Sequence, residues 1–238
     1  HLLHEADLVI NFAAETHNDN SLSNPRVFIE TNIVETTYLL EQCVSTNTPL
    51  IQISTDEVFG DFTLESEELA DESYSYRPSS PYSASKASAD LLAKAWARSF
   101  GLQAIVTHCT NNYGPGQHPE KLIPNVISRI RKKLPIELYG EGKNIRNWIH
   151  VDDHSEALSL IIDNPIWGET YNISSDEELS NLELINLIRQ SLGAPKHPIE
   201  FVKDRPGHDL RYGLDSSKIR QLGWRPAKSI YETSVANL

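Results

Sequence analysis

The sequence contains no methionine and only two cysteines, Cys43 and Cys109, which stand far apart and without the short spacing of metal ligands. That argues against a disulfide framework and a cysteine-held metal; no metal site is expected, and a reduced, cytoplasmic protein is. No apolar run approaches the ~20 residues that a bilayer crossing needs, and no signal peptide is visible. Basic residues are few: 21 Lys and Arg against 33 Asp and Glu give a net charge of -12. They are also scattered, whereas a nucleic-acid surface needs a clustered basic patch, so that class is set aside. Missing too is any glycine-rich turn of the form G-x-G-x-x-G or G-x-x-G-x-x-G.

What is present is ordinary for a globular chain: 39% hydrophobic, 8% aromatic and 23% charged residues. Its 238 residues suffice for one α/β domain with a real core and a smaller second lobe. The acidity does not forbid an anionic ligand, because a few placed Arg and Lys with helix N-termini can hold a diphosphate.

Residues 7–14 (DLVINFAA) read as a buried parallel strand closed by small side chains. Asn24-Pro25 opens a helix whose apolar positions, from Phe28 to Val44, keep one face over several turns. A second strand at 50–54 (LIQIS) leads into a polar loop to about Ser79. Pro81 starts a helix that runs to Phe100 and stops at Gly101, and a third strand follows at 103–108. Strands separated by helices of this length imply right-handed crossovers and a doubly wound, parallel, Rossmann-type α/β sheet.

The texture changes after Asn111-Asn112-Tyr113-Gly114-Pro115-Gly116. Helical patterns near 122–131, 152–162 and 181–191 alternate with short strands at 136–139 and 171–173. This predicts a dinucleotide-binding domain over residues 1–112, to which some later segments return. Residues 113–238 would mainly build a smaller α/β substrate lobe across a shared cleft. A dinucleotide-binding sheet normally begins with strand, glycine-rich turn and helix, so N-terminal strands are expected to be missing, with roughly 60 residues upstream of His1.

Two motifs can do chemistry. Tyr82 and Lys86 lie four apart at a helix start and share a face. A nearby ammonium and the helix N-terminus are expected to bring the phenol down towards working pH, as a general base requires. The bland alternative is a surface Tyr and Lys on an amphipathic helix. Thr55-Asp56-Glu57 follows a strand, where active sites of open parallel sheets lie. The Thr55 hydroxyl could assist the tyrosine. Two adjacent carboxyls in a partly closed site repel, so one can keep its proton while the other is ionised. An acid and a base side by side suit elimination of water; the alternative is a solvated acidic loop.

The runs S-T-D-E-V-F-G, P-Y-S-A-S-K and C-T-N-N-Y-G-P resemble the extended short-chain dehydrogenase/reductase family, and within it the dTDP-glucose 4,6-dehydratases. The similarity continues in order through Glu120-Lys121-Leu122-Ile123-Pro124, Arg146-Asn147-Trp148, Tyr171-Asn172-Ile173 and Asp204-Arg205-Pro206-Gly207-His208-Asp209, ending near Trp224-Arg225-Pro226. It implies an NAD-dependent, redox-neutral cycle on dTDP-glucose. Tyr82, helped by Thr55, takes the 4-hydroxyl proton while hydride passes from carbon 4 to NAD. Glu57 then removes the carbon 5 proton, Asp56 protonates the departing 6-hydroxyl, and hydride returns to carbon 6. Lys86 tunes the tyrosine and holds the nicotinamide ribose.

The same resemblance implies that Phe12, Ala13, Ala14, Glu15 and Thr16 pass under the cofactor, with Thr31, Tyr82, Lys86 and Asn112 near it. Thr16, Thr55, Asn111, Lys121, Leu122, Arg146, Asn181, Arg205 and His208 match substrate-binding positions. The segment from Ile136 to Tyr139 would lie along the pyrimidine, and a homodimer through helices near 24–44 and 81–100 is implied. Departures from the family pattern are Phe59 for tyrosine, Asn18 and Asn20 for an apolar and a basic residue, and Ser174-Ser175 for a glycine pair. Alternative readings are dehydration of another nucleotide sugar, a nucleotide-sugar 4-epimerase on the same fold, and a catalytically silent sugar-nucleotide-binding protein. An epimerase has no need of Asp56-Glu57.

Overall fold

Four short apolar segments pair side by side in a computed structural model that describes residues 2–233. β1 (Val9–Asn11), β2 (Leu50–Thr55), β3 (Ala104–Cys109) and β7 (Thr170–Ile173) form a parallel sheet in that order. Every residue of β2 is buried, as expected for a strand covered on both faces. The alternation of side chains explains the two layers. Leu50, Ala104 and Val106 join Leu40, Cys43 and Ala93 on one face. Ile51, Ile53 and Ile105 point the other way, into a cluster with Ile149, Ile161, Tyr171 and Trp224.

The first face is covered by α4 (Pro81–Phe100) and by a helical run against it. That run is not the single α-helix the apolar spacing predicts. α1 (Asn18–Ser23) precedes α2 (Pro25–Ile29), which continues through a π-helical stretch (Glu30–Glu35) into α3 (Thr36–Thr46). The wide turn buries Asn32, whose amide accepts from Glu15 N at 2.8 Å and donates to Glu15 O at 3.0 Å and to Ser85 Oγ at 2.8 Å. Such bulges gather at functional sites; here one ties the loop after β1 to α4. The first strand is likewise shorter than its apolar run, because residues 12–16 leave the sheet.

A second core collects α5 (Leu122–Arg131), β5 (Ile136–Tyr139) and α7 (Asn181–Ser191) around Ile123, Ile136, Trp148, Leu184 and Ile188. β4 (Asn111–Tyr113) runs parallel to β6 (Ile145–His150), which pairs antiparallel with β8 (Glu178–Ser180); β5 pairs with β9 (Ile199–Val202). α6 (Val151–Asp163) and α8 (Ser217–Gln221) return to the first sheet, where Trp224 Nε1 donates to Asp153 O at 3.0 Å. The polar loop after β2 is strapped down by bridges of Phe62 to Arg211 and Ala70 to Leu214. Among the described residues no helix is long and apolar enough to cross a membrane, and no cluster of three or more His, Cys, Asp or Glu could hold a metal.

Candidate active site

β2 delivers Thr55 at its carboxyl end, and the chain turns at once into a 3₁₀ turn (Asp56–Phe59). Thr55 caps that turn: its Oγ1 accepts from Glu57 N at 3.4 Å and donates to Asp56 Oδ1 at 3.1 Å. Gly60 ends it at φ +78, where an added Cβ would lie 2.4 Å from the Arg77 carbonyl oxygen. No other residue fits there, so the turn that aims the two carboxyls is held tightly from behind.

α4 begins opposite. Ser80 and Ser83 form a reciprocal cap with Pro81 at the first position. The helix then turns Tyr82, Lys86 and Asp90 inward, at the four-residue spacing of one face. Phe28 meets the Tyr82 ring edge-on at 6.3 Å between centroids. Lys86 Nζ donates to Ile53 O at 2.7 Å, and Asp90 accepts the Ser54 hydroxyl at 2.6 Å.

Electrostatics separate the two carboxyls. Burial pushes Asp56 up to about 7, with Glu57 adding to the rise while Arg146 and Thr55 oppose it. Its Oδ2 is buried and has no hydrogen-bond partner among the described residues. Burial also raises Glu57, but Arg146, Arg205 and Lys121 pull it back, with Asp209 on the raising side. Asp56 is therefore able to carry a proton near neutrality. For Tyr82 the expected direction is reversed. Burial raises the phenol well above its ordinary value, Glu57 adds to this, and Thr55 opposes. Lys86, itself lowered by burial, spends its ammonium on the Ile53 carbonyl. Asp56 also adds to the rise of the phenol.

These groups line a cleft of about 430 Å³. Phe12, Ala14 and Thr16 form one wall, and Thr55, Asp56, Glu57, Tyr82, Lys86, Asn111 and Asn112 form the floor. Phe12 is 59% exposed, an apolar plate at the sheet's carboxyl edge. Asn111 Oδ1 and His154 Nε2 are buried polar atoms here with no partner among the described residues. His154 donates through Nδ1 to Asn112 at 2.9 Å, and burial lowers it to about 4, which keeps it neutral. An apolar plate, a lysine and unspent polar atoms fit the nicotinamide and ribose of NAD.

A second cleft, about 490 Å³, opens from the first at Thr16, Glu57, Asn111 and Lys121. Leu122, Tyr139, Arg146, Asn181, Arg205 and His208 line it, so the substrate-side residues singled out in the sequence mostly converge there. Lys121 Nζ donates to Thr16 O at 2.9 Å, and Arg205 Nη1 to Asp19 Oδ1 at 3.1 Å. His208 Nδ1 meets Asp204 at 2.6 Å. Arg146 is buried and donates to Ile145 O and Asp209 O, stacked 4.3 Å over Tyr212. Lys121, Arg129, Arg146 and Arg205 thus share this lining with the carboxyls of Asp19, Glu57, Glu120 and Glu137.

Some expected residues lie elsewhere. Ile136 is wholly buried in the second core, because the alternation of β5 sends it inward while Glu137 and Tyr139 face out. Ala13 donates its N–H to Asn11, Glu15 is pinned to Asn32, and Thr31 sits in the π-helical stretch; none of the three lines either cleft. Conversely, Asn18, Asp19, His154 and Tyr212 line the clefts without having drawn notice as site residues. Only the unusual Asn at position 18 left a trace in the sequence.

The family model described as GDP-mannose 4,6 dehydratase matches residues 2–235. The chain is 44% identical over 237 residues to a dTDP-glucose 4,6-dehydratase of Mycolicibacterium smegmatis, covering 99% of this chain and 72% of that relative. Among solved structures, DesIV, a dTDP-glucose 4,6-dehydratase from Streptomyces venezuelae with NAD and TYD bound, matches with a TM-score of 0.94 at 42% identity, covering 99% of this chain and 74% of that one. A UDP-glucuronic acid 4-epimerase from Bacillus cereus in complex with UDP-glucuronic acid and NAD matches with a TM-score of 0.92, but at 25% identity over 99% of this chain and 76% of that one. The chain thus belongs to the GDP-mannose 4,6 dehydratase family and, within it, to the group of dTDP-glucose 4,6-dehydratases.

Proposed function

We propose that this protein is an NAD-dependent hydro-lyase that converts dTDP-glucose to dTDP-4-keto-6-deoxyglucose. The observation that carries the reading is the pairing of Asp56 and Glu57, held by one capped turn against Tyr82, both raised by burial but opposed by different neighbours. When bound, NAD supplies a hydride acceptor for carbon 4, a hydride donor for carbon 6, and a positive charge in the same cleft. With that charge offsetting the carboxyls that hold the phenol protonated, Tyr82 would act as the phenolate and accept the 4-hydroxyl proton, with the Thr55 hydroxyl on the same oxygen; after turnover the phenol would release a proton and Asp56 would regain one. The resulting ketone acidifies carbon 5, and Glu57 removes that proton. Asp56, protonated near neutrality, gives its proton to the 6-hydroxyl, which leaves as water. Glu57 returns a proton to carbon 5 as carbon 6 is reduced, so acid and base work in one turnover.

In this reading the first cleft, lined mostly by residues 1–112 but also by residues 113–118, Lys121, Val151 and His154, takes the cofactor. The second, mostly from residues 113–238, takes the nucleotide sugar, with Arg205 and Lys121 facing the diphosphate. The exposed apolar residues Ile29, Val34, Tyr38 and Leu91 on the paired helices suit a homodimer. The free thiols Cys43 and Cys109 suit a reducing cytoplasm. The epimerase alternative leaves the Asp56–Glu57 pair without a task. Incubation with NAD and dTDP-glucose should yield a 4-keto sugar that develops a chromophore in alkali. Turnover of a UDP-, GDP- or CDP-sugar alone would overturn the substrate, and an epimerised product that retains its 6-hydroxyl would overturn the elimination. Glu57→Gln should still oxidise carbon 4 while blocking loss of water; equal loss of both would remove Glu57 from its role.

A further inference from the structure

We infer that Asn18 is a positioning residue for the elimination step, fixing the Glu57 carboxylate through one oxygen and holding it ready to take the carbon 5 proton. This rests on the dehydratase reading above. Asn18 Nδ2 donates to Glu57 Oε2 at 2.8 Å, across 39 residues of sequence. Among the described residues Oε1 has no hydrogen bond, which leaves it for the substrate. The donor is itself anchored, since Asn18 opens α1 and its carbonyl accepts the hydroxyl of the buried Ser21 at 2.7 Å. An apolar side chain, as the family pattern leads one to expect at this place, could not make the bond.

The chemistry explains why an amide is suited. A hydrogen bond to an ionised acceptor is stronger than one to the neutral acid, so it favours the basic form. An amide does this without bringing a full charge that would suppress the basicity altogether. It also does not titrate, so its effect is the same at every working pH. Glu57 needs such help because burial opposes its ionisation. Around it, Arg146 on β6, Arg205, and Lys121 at the start of α5 favour the charge. Asp56 on its own turn, Asp209 from the C-terminal loop, and the phenols of Tyr82 on α4 and Tyr212 face it without favouring it.

The test compares the natural chain with Asn18→Val, Asn18→Asp and Asn18→Gln, by pH profiles of kcat and kcat/KM with NAD and dTDP-glucose. In parallel, the Glu57 carboxyl is titrated by carbon-13 NMR, with Glu57→Gln to assign the signal. Asn18→Val should move the acid limb of kcat and the Glu57 titration upward together by about one pH unit, slowing kcat by up to about tenfold on that limb and little at high pH, with KM nearly unchanged. Asn18→Asp, close in shape, should move both further, and Asn18→Gln should restore part of the loss. An unmoved Glu57 titration in both Asn18→Val and Asn18→Asp, or a defect confined to KM, would overturn the inference. Lack of turnover of dTDP-glucose by the natural chain would instead strike the dehydratase reading, because the carboxyl titration does not depend on turnover.

Discussion

Replacing Asp56 by Asn should make the protein more stable at alkaline pH while removing the proposed acid of the elimination. Asp56 is 4% exposed, and burial beside Glu57 lifts it from an ordinary 3.8 to about 7. In the unfolded chain it loses its proton near 4, whereas in the folded protein it holds on until about 7. Between these values the unfolded state binds fewer protons, so stability falls as pH rises through the window and levels off above it. A rise of roughly three units corresponds to about 4 kcal/mol on the plateau, and to less than half of that at pH 5. Asn has the same shape and no charge. Any packing or hydrogen-bonding cost of the amide is equal at all pH and cancels in the comparison. Urea unfolding of Asp56→Asn and the natural chain should therefore show a stability gap that widens in favour of Asn by about 2–3 kcal/mol between pH 5 and pH 8. In a Glu57→Gln background the widening should shrink, since Glu57 is the second cause of the shift. A gap that stays constant, or narrows with rising pH, would refute the account of this carboxyl.

Two further outcomes follow from the same geometry. Asp153 is buried and accepts the backbone N–H groups of Ala227 and Lys228 at 3.1 and 3.0 Å, so Asp153→Ala should cost about 2–4 kcal/mol in urea unfolding by releasing the C-terminal segment from the sheet. Arg205→Ala should raise KM for dTDP-glucose and weaken inhibition by dTDP about 10–100-fold, and should also move the acid limb of kcat upward, read from steady-state kinetics across pH, because its guanidinium lines the second cleft and also favours the ionised form of Glu57.

Much of the fold was legible because it depends on local pattern. α4, α5, β5 and α7 lie where Pro, Gly and apolar spacing put them. β4 and β6 were not legible: Asn-Asn-Tyr and Ile-Arg-Asn-Trp-Ile-His have neither alternation nor an apolar run, and are strands only because their backbones pair with each other. The π-helical stretch was equally hidden, since its reason is Asn32 reaching Glu15 and Ser85 from other elements. Of the candidate site, Thr55, Asp56, Glu57, Tyr82 and Lys86, which line one cleft, could be named from two short motifs and their position at strand and helix ends.

The sequence by itself determined which chemical groups are available, the elements that carry them, and their order on a parallel sheet, because capping residues and apolar period act over a few neighbouring positions. Proton affinity is not such a property. Tyr82 next to Lys86 in sequence reads as a lowered phenol, yet in the folded chain Lys86 is bound to the Ile53 carbonyl, while burial and the carboxyls of Glu57 and Asp56 raise the phenol. Asp56 and Glu57 are neighbours in sequence with similar ordinary affinities. Only the tertiary structure, by burying both and bringing Arg146, Arg205, Lys121 and Asn18 from four other segments, gives the two carboxyls different surroundings, the ground on which the proposed acid and base are told apart.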